Sequence, residues 1–230
     1  MKIFLAGLAA LIVAAPLSAG PNLVLDSGFE TDVVQAGGYN HIAGGATFGG
    51  AWHVTGVDIL HINTTYRDGE DPILIFKAHS GLNSLDLTGT GNSGPESGIY
   101  QDIATQAGTT YTLSFFVGRA TNTGSAQNDY LSDATMRLAI NGGAIQEFVN
   151  SDTDPNLIDW RSFSTEFVAT GTNTRIHFFN GLGNSYLGLD DVSLRDASAA
   201  PEASTWAMLI GGMFAMGGTM RCRPRVVRIA

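Results

Sequence analysis

The sequence is almost without cysteine. Its only thiol, Cys222, lies close to the C-terminus of the 230-residue chain. The body of the chain therefore has no disulfide framework and no thiol chemistry. A chain of this length can bury enough apolar surface to fold without such cross-links. If the fold is braced beyond its core, a bound metal is the remaining means.

Basic residues are also scarce in the body. Between residues 20 and 200 there are 20 Asp and Glu against 7 Lys and Arg, a net charge of −13. Such a surface repels nucleic acid and anionic lipid. It suits neutral ligands or cations, and we expect no nucleic-acid partner.

Recognisable catalytic motifs are missing as well. There is no HExxH, no GxSxG and no helix after a glycine-rich stretch that would hold phosphate. Acidic residues cluster in turns at 68–71 and 151–154, where solvated side chains are common. We therefore expect a protein that is not an enzyme and has no catalytic residues. The five histidines form no close pair that would announce zinc; they are His41, His53, His61, His79 and His177.

The body lacks a helical period and alternates instead with a period of two. Apolar and polar residues alternate in YTLSFFV (111–117) and TMRLAI (135–140), which predicts half-buried strands. The pair Asn141-Gly142 predicts a hairpin. The fold class is therefore all-β, an antiparallel sandwich or jelly roll. Residues 37–50 and 88–98 are glycine-rich and are predicted to be loops.

The last strand changes its alternation at two acidic residues. Leu187 and Leu189 share one phase and Val192 shares the other, so the slip falls at Asp190-Asp191. A β-bulge is the simplest way to accommodate such a slip. Two carboxylates in an otherwise apolar strand need partners, which are either a bound cation or backbone N–H groups.

Both ends of the chain differ from the body. Residues 1–19 have one lysine, an apolar run and then small residues, the layout of a secretory signal peptide. Near the other end, an apolar segment from about Trp206 to Met220 precedes several arginines. We predict a signal helix over 1–19, a folded domain over 20–198 and a sorting or anchor segment with a hydrophobic helix over 199–230.

The C-terminal segment resembles the PEP-CTERM sorting signal of Gram-negative bacteria. Its elements are the short motif Pro201, Glu202 and Ala203, the apolar segment, and an arginine cluster at Arg221, Arg223 and Arg225. The third motif residue departs from the family pattern, which has proline there. The resemblance implies transient insertion in the inner membrane, processing by an exosortase-type enzyme and delivery to the cell surface or beyond. An ordinary C-terminal membrane anchor is the alternative.

The body resembles the galactose-binding-like jelly-roll domains, which include many carbohydrate-binding modules. It is most similar to bacterial choice-of-anchor proteins and to a plant cell-wall family that opens with an Asn-Gly-x-Phe-Glu motif. The resemblance implies a sandwich of two antiparallel sheets. The matching stretches, in order, are NLVLDSGFE (22–30), AWHVTGVDIL (51–60), GLNSLDLTG (81–89), SGIYQDIATQAGTTYTLSFFVG (97–118), WRSFSTEFVATGTNTRIHFFN (160–180) and YLGLDDVSL (186–194).

This resemblance also implies one structural calcium, where the opening motif meets the last strand. Carried over by position, Glu30 and either Asp190 or Asp191 would be its side-chain ligands. Calcium favours several oxygen ligands, which carboxylates and backbone carbonyls supply. The alternative is that backbone amides satisfy these carboxylates. No other cofactor is expected.

Sugar binding, which the same resemblance makes the leading function, would rely on aromatic side chains. An aromatic ring packs on the apolar face of a pyranose while polar groups hold the hydroxyls. The candidates are Trp52, Tyr66, Tyr130 and Tyr186, and Tyr39 is a further one. Trp52 and Trp160 also suit core or sheet-face positions. The leading hypothesis is an exported, surface-directed binding protein for polysaccharide or extracellular matrix. A structural biofilm or coat protein is the alternative, and an extracellular glycoside hydrolase is the third.

Overall fold

All regular secondary structure in the described part of the chain is β. The computed structural model describes residues 20–68, 74–90, 96–121, 130, 132–153, 158–181 and 186–197. The strands are β1 (Tyr39–Ala43), β2 (Thr47–Phe48), β3 (Trp52–Thr55), β4 (Asp58–Asn63), β5 (Arg67–Asp68), β6 (Leu74–Ile75), β7 (Asn83–Asp86), β8 (Gly98–Ala104), β9 (Thr110–Ala120), β10 (Ala134–Ile140), β11 (Gln146–Asn150), β12 (Ile158–Val168), β13 (Asn173–Asn180) and β14 (Gly188–Asp196).

The strands form two six-stranded sheets and one small ribbon. The first sheet has the order β1-β4-β7-β14-β9-β12, and the second sheet has the order β11-β10-β13-β8-β3-β2. Strands β5 and β6 pair only with each other. Every described pairing is antiparallel. This confirms the predicted all-β antiparallel class, and the two sheets fit a jelly-roll sandwich.

The core lies between the two large sheets and follows the alternation of the strands. In β9, Tyr111, Leu113, Phe115 and Val117 are buried, whereas the intervening residues are partly exposed up to Phe116. In β13 of the opposite sheet, Phe178 is fully buried, and its ring lies 4.9 Å from that of Phe115. Side chains of both inner faces thus interdigitate, as expected for packed sheets.

The predicted hairpin and bulge are both present. Strands β10 and β11 pair around Asn141 and Gly142, whose φ angles are 51° and 67°. In β14 the register against β9 shifts between Asp190 and Ser193, and Asp191 has a φ of 48°. The extra residue of a bulge changes which face of the strand the following side chains occupy. Leu189 and Val192 are both fully buried as a result.

One predicted loop is wrong. Residues 37–50 contain strands β1 and β2, which pair with β4 and β3 at the edges of the two sheets. Glycines at positive φ, among them Gly37, Gly45 and Gly49, mark the turns around these strands. The glycine content therefore reflects tight turns between very short strands rather than a continuous loop.

The two predicted targeting segments, 1–19 and 199–230, lie outside the described residues, so their helices stay predictions. Pro21–Ser198 form one compact unit. Within the ranges that the structure describes, no helix is long and apolar enough to cross a membrane.

Candidate functional site

The outer face of the first sheet contains a row in which one tryptophan stands beside two glycines. Trp160 of β12 is opposite Gly118 of β9, and Gly118 is opposite Gly188 of β14. The row continues with Asp86 of β7 and Leu60 of β4. Directly opposed residues of a sheet share a face. The middle of this row thus has no side chains.

The indole of Trp160 lies across this glycine floor. A Cβ added to Gly118 would come within 2.9 Å of two carbons of the six-membered indole ring. A Cβ added to Gly188 would also be 2.9 Å from that ring. The indole Nε1 donates a hydrogen bond to the backbone O of Lys77 at 2.9 Å. The ring is therefore fixed over the sheet while remaining partly exposed.

Four further rings continue from Trp160. The phenol oxygen of Tyr186 lies 2.9 Å from the same Cβ position of Gly188. Phe76 is 5.2 Å from Tyr186, 5.3 Å from Tyr66 and 6.1 Å from Tyr130, measured between ring centroids. Together with Tyr39 we call this set the aromatic face: Tyr39, Tyr66, Phe76, Tyr130, Tyr186 and Trp160.

The ribbon of β5 and β6 positions part of the aromatic face. The N–H of Phe76 donates to the backbone O of Tyr66 at 3.1 Å, which keeps the two rings together. Leu74 and Phe76 are buried against Ile62 of β4. Tyr39, in edge strand β1, packs edge-on against Tyr66 at 5.2 Å. The ribbon thus buries its apolar side on the sheet and leaves tyrosines at its margin.

The phenols at this margin keep their protons. The hydroxyl of Tyr130 donates to Asp68 Oδ2 at 3.1 Å. Burial, together with the nearby Asp68 carboxylate, raises the pKa of Tyr130 well above its usual value. The same two causes raise the pKa of Tyr66. Both tyrosines are half-buried. Both therefore present a ring to a pyranose face, and the Tyr130 oxygen, whose proton is donated to Asp68, can accept a hydrogen bond from a sugar hydroxyl.

A buried carboxylate lies beneath the aromatic face. Asp86 is only 6% exposed, and its Oδ1 accepts hydrogen bonds from the N–H and hydroxyl of Thr88, at 2.9 and 2.7 Å, and from the N–H of Leu187 at 3.2 Å. Burial raises the pKa of Asp86 to about 6. A carboxylate that is enclosed and committed to backbone donors has a structural role. It does not provide the accessible acid that glycoside hydrolysis needs.

Of the predicted ligand-binding aromatics, Tyr39, Tyr66 and Tyr130 lie partly exposed on this face, whereas Tyr186 is only 3% exposed and supports the other rings from beneath. Trp52 does not belong to the face. Its side chain is fully buried in the core against Phe29, at 5.7 Å between ring centroids, and its Nε1 donates to the backbone O of Asp26. Trp52 is the first residue of the short strand β3 and points to the inner side.

Trp160 is the residue that the sequence-based choice of ligand residues missed. The available signal was a pair of glycines, Gly118 and Gly188, at outward positions of apolar strands. Glycine inside a strand often marks a close approach of another group. Only the strand order, in which β12, β9 and β14 lie side by side, shows that the approaching group is the indole of Trp160.

The predicted calcium ligands come together but are occupied by protein donors. Glu30 Oε1 accepts the N–H groups of Leu82 and Asn83 at 2.7 and 2.9 Å. The amide side chain of Asn83 donates to Glu30 Oε2 at 3.0 Å. The carboxylate therefore joins the opening motif to the start of β7.

The two aspartates of the bulge are held in the same way. Asp190 Oδ2 accepts the N–H groups of His79 and Ser80, at 3.0 and 3.2 Å, and burial raises its pKa to about 7. Asp191 lies 2.6 Å from His79 Nδ1 and accepts the hydroxyl of Ser80 at 2.8 Å. Both aspartates thus attach β14 to the segment before β7.

The three carboxylates also lie near one another around Gly28. Asp191 Oδ1 is 3.5 Å from the Cβ position of Gly28, and Asp190 Oδ1 and Glu30 Cγ are each 3.9 Å from it, so the three approach one another. Among the residues that the structure describes, however, no three His, Cys, Asp or Glu side chains are grouped as ligands of one metal ion. Calcium binding by these carboxylates remains a prediction.

The sorting motif lies outside the described residues. Pro201, Glu202 and Ala203, and Arg221, Arg223 and Arg225, therefore stay sequence predictions. The exosortase partner and the transient membrane contact depend on those same residues.

Comparison with known proteins gives distant similarities. No protein-family model matches the chain, and no curated protein matches it. Among solved structures, the chain is similar to the CBM22-1 xylan-binding domain of Paenibacillus barcinonensis Xyn10C, with 14% identity, 73% of this chain and 100% of that chain covered, and a TM-score of 0.39. It is similar to TmCBM61 in complex with β-1,4-galactotriose, with 14% identity, coverage of 77% and 99%, and a TM-score of 0.43. A family 35 carbohydrate-binding module from Clostridium thermocellum gives 14% identity, coverage of 60% and 92%, and a TM-score of 0.36.

Proposed function

We propose that this protein is a polysaccharide-binding protein that is exported to the cell surface and is not an enzyme. Its ligand is a polysaccharide of the extracellular matrix, held on the aromatic face. The observation that carries the proposal is a group of partly exposed rings on one face of the sheet, namely Trp160, Tyr130, Tyr66 and Tyr39, which surround the buried rings of Phe76 and Tyr186.

The chemistry of this face suits a neutral sugar chain. Apolar C–H groups of a pyranose pack on aromatic rings, and the phenol oxygens accept hydrogen bonds from sugar hydroxyls. The rings of Trp160 and Tyr130 are immobilised before any ligand arrives, by hydrogen bonds to Lys77 and Asp68. Ordering in advance lowers the entropy cost of binding. The net charge of the chain does not oppose an uncharged ligand.

Retention on immobilised glycans tests the proposal. The full-length protein would be passed over a panel of neutral polysaccharides that includes xylan, galactan and mannan. We expect saturable retention on at least one. Trp160→Ala should weaken that retention by about tenfold or more, since loss of one stacking aromatic removes on the order of 1–2 kcal/mol. Trp160→Phe should retain part of it.

The matched control is Tyr100→Ala, which removes an aromatic residue from the outer face of the second sheet. It should leave the neutral-glycan retention unchanged. Thermal unfolding of each variant shows whether it is folded. A folded wild-type protein that is retained on none of the glycans contradicts the proposal, and so does a retention that Trp160→Ala leaves intact.

A structural coat protein without a sugar site is the second candidate. The observation that favours it is β12, an 11-residue strand at the edge of the first sheet. Edge strands can pair with another copy of the chain. Sedimentation velocity separates the two functions: self-association with increasing concentration, together with no glycan retention, supports the coat protein.

We propose delivery through the two terminal segments. Residues 1–19 would direct export, and residues 199–230 would hold the precursor in the inner membrane until an exosortase-type enzyme releases it. Cell fractionation in a Gram-negative host that has such an enzyme tests this proposal. Surface or extracellular protein shortened at its C-terminus is expected. Replacing the three arginines Arg221, Arg223 and Arg225 by glutamine should reduce this processing.

A further inference from the structure

The outer face of the second sheet carries a second set of rings, and it is chemically different from the aromatic face. A cross-strand row runs from Thr47 of β2 through His53 of β3 and Tyr100 of β8 to His177 of β13. Opposed residues on adjacent strands share a face. We call the set on this face the imidazole stripe: His53, Tyr100, Arg137, Arg175, His177 and Phe179.

The centre of the stripe is a stack on Tyr100. The imidazole of His53 lies 4.8 Å from the phenol ring, with an angle of 18° between their planes. The guanidinium carbon of Arg175 is 3.9 Å from the centroid of the same ring. Both groups are held by aromatic contact, and this contact uses none of their N–H groups as hydrogen-bond donors.

The stripe continues across β13 to β10. His177 lies 6.2 Å from Tyr100 and 4.8 Å from Phe179, measured between ring centroids. The guanidinium carbon of Arg137 is 5.0 Å from the Phe179 ring. Cationic and imidazole groups therefore occur along the whole row, spaced by aromatic rings.

Each arginine of the stripe lies beside a carboxylate, so the imidazoles are the groups that can add positive charge. Arg175 makes two hydrogen bonds to Asp102, at 2.7 and 2.6 Å, and this pairing lowers the pKa of Asp102. Arg137 Nε lies 3.5 Å from Glu147, whose side chain is 60% exposed against 24% for the arginine. The stripe gains positive charge with each proton that an imidazole takes up.

The surroundings of the two imidazoles contain both signs of charge. His53 Nδ1 lies 3.0 Å from the hydroxyl of Thr47 in β2, and Asp102 of β8 is within electrostatic range. His177 Nε2 lies 3.0 Å from the hydroxyl of Thr55 in β3. Its pKa is lowered by burial and by the charge of Arg175, against which the carboxylate of Glu96 acts.

We propose that the imidazole stripe is a second carbohydrate-binding face and that it selects sugars bearing carboxylates, such as the uronic acid residues of an acidic polysaccharide. Guanidinium and imidazolium groups donate charge-assisted hydrogen bonds to a carboxylate, and the intervening rings of Tyr100 and Phe179 hold these groups in place. The inference extends the proposed function to a second class of polysaccharide but uses none of the residues of the aromatic face.

The overall negative charge of the chain does not prevent this. Screening limits electrostatic forces between exposed charges to about 8 Å at physiological ionic strength. Two packed sheets are themselves about 10 Å apart. The local charges of the stripe therefore govern a ligand lying on it, and acidic groups beyond the second sheet contribute little.

Binding to polygalacturonate and to its methyl-esterified form provides the test, because the two polymers share a backbone and differ in charge. Affinity electrophoresis of the full-length protein would be run at about pH 5.5 and about pH 7.5, on either side of the ordinary imidazole pKa. We expect retardation by polygalacturonate that is stronger at the lower pH. The methyl ester should retard the protein several-fold less.

Two substitutions within the stripe and one outside it locate the site. Arg137→Gln and His53→Gln should each weaken retardation by about tenfold, the contribution of one charge-assisted hydrogen bond. The matched control is Arg161→Gln in β12. Arg161 also lies over a phenylalanine, 5.5 Å from the ring of Phe163, and beside an aspartate, 3.8 Å from Asp152. This control should bind like the wild type.

Each other result overturns the inference. These results are no retardation by polygalacturonate at either pH, equal retardation by the esterified polymer, and retardation that both stripe variants retain while folded. A loss caused by Trp160→Ala instead would assign the acidic sugar to the aromatic face. If neutral glycans are still retained through Trp160, only this inference fails. If no glycan of either class is bound, the proposed function fails with it.

Discussion

Two glycines determine where the largest ring of the aromatic face can lie. Gly118 and Gly188 are opposed on neighbouring strands, and the indole of Trp160 occupies the space that their side chains would fill. Neither residue has a positive φ angle. The requirement at these positions is therefore for space above the sheet, and any side chain there competes with the tryptophan.

Gly118→Ala should displace this ring. The added methyl group would lie 2.9 Å from the indole, so we expect a loss of about 1–3 kcal/mol in the free energy of unfolding. The tryptophan fluorescence and near-ultraviolet dichroism should change, and neutral-glycan retention should fall with them. Gly171→Ala is the control, because a Cβ there meets only the backbone O of Asn173 at 3.9 Å. Equal effects of both substitutions would contradict this role for the glycine.

Asp86 is the residue-scale source of a pH dependence. Its folded-state pKa of about 6 lies above the unfolded value of 3.8. The folded state therefore binds this proton more strongly than the unfolded chain does. Stability contributed by the protonated form is complete below the unfolded pKa and is lost as the pH rises through about 6.

Asp86→Asn should remove this part of the pH dependence. Between about pH 4 and about pH 7, the free energy of unfolding of the wild type should fall by up to roughly 3 kcal/mol more than that of the variant. Urea denaturation at several pH values measures the difference. Asp133→Asn, at a side chain that is 51% exposed, should keep the wild-type slope. Parallel curves for the wild type and Asp86→Asn would show that the buried carboxylate does not titrate in this window.

At the scale of elements, the bulge in β14 determines how neighbouring segments pack against this strand. The bulge at Asp191 brings Val192 and Leu194 back to the core after Leu187 and Leu189. It also directs two carboxylates toward the segment at His79 and Ser80. One irregularity therefore serves both packing and the attachment of a loop to the sheet.

Whether these elements also hold calcium is a measurable question. A structural calcium predicts that the thermal midpoint falls on treatment with excess chelator and recovers on addition of calcium, because a ligand of the folded state stabilises it. Glu30→Gln should abolish the response to calcium. Differential scanning calorimetry measures both effects. An unchanged midpoint in the wild type would mean that the N–H donors to Glu30 and Asp190 replace the metal altogether.

At the scale of the whole molecule, the sandwich has a core of its own. Pro21–Ser198 form one compact unit, and its core is continuous between the two large sheets. We expect the segment 20–198 to fold alone, with the same thermal midpoint as the full-length protein. Reducing agent should not change that midpoint, because the only cysteine is Cys222. A segment that fails to unfold cooperatively would contradict both expectations.

The outer faces of the two sheets are proposed to bind different classes of polysaccharide. The first sheet presents rings and phenol hydroxyls, whereas the second presents rings with guanidinium and imidazole groups. Binding of a neutral and an acidic polymer by opposite faces would allow one molecule to link two chains. The paired variants Trp160→Ala and Arg137→Gln separate the two contributions.

The sequence by itself determined the strands around 111–117 and 135–140, the all-β class, the Asn141-Gly142 hairpin and the bulge at Asp190-Asp191. These features depend on local alternation and on backbone conformation, which neighbouring residues specify. The tertiary structure alone decided that Trp52 is in the core while Trp160 lies on an outer face, and that residues 37–50 hold two edge strands. It also assembled the stripe from His53, Tyr100 and His177. Side chains far apart in the chain become neighbours only through strand order and register, which local sequence does not specify.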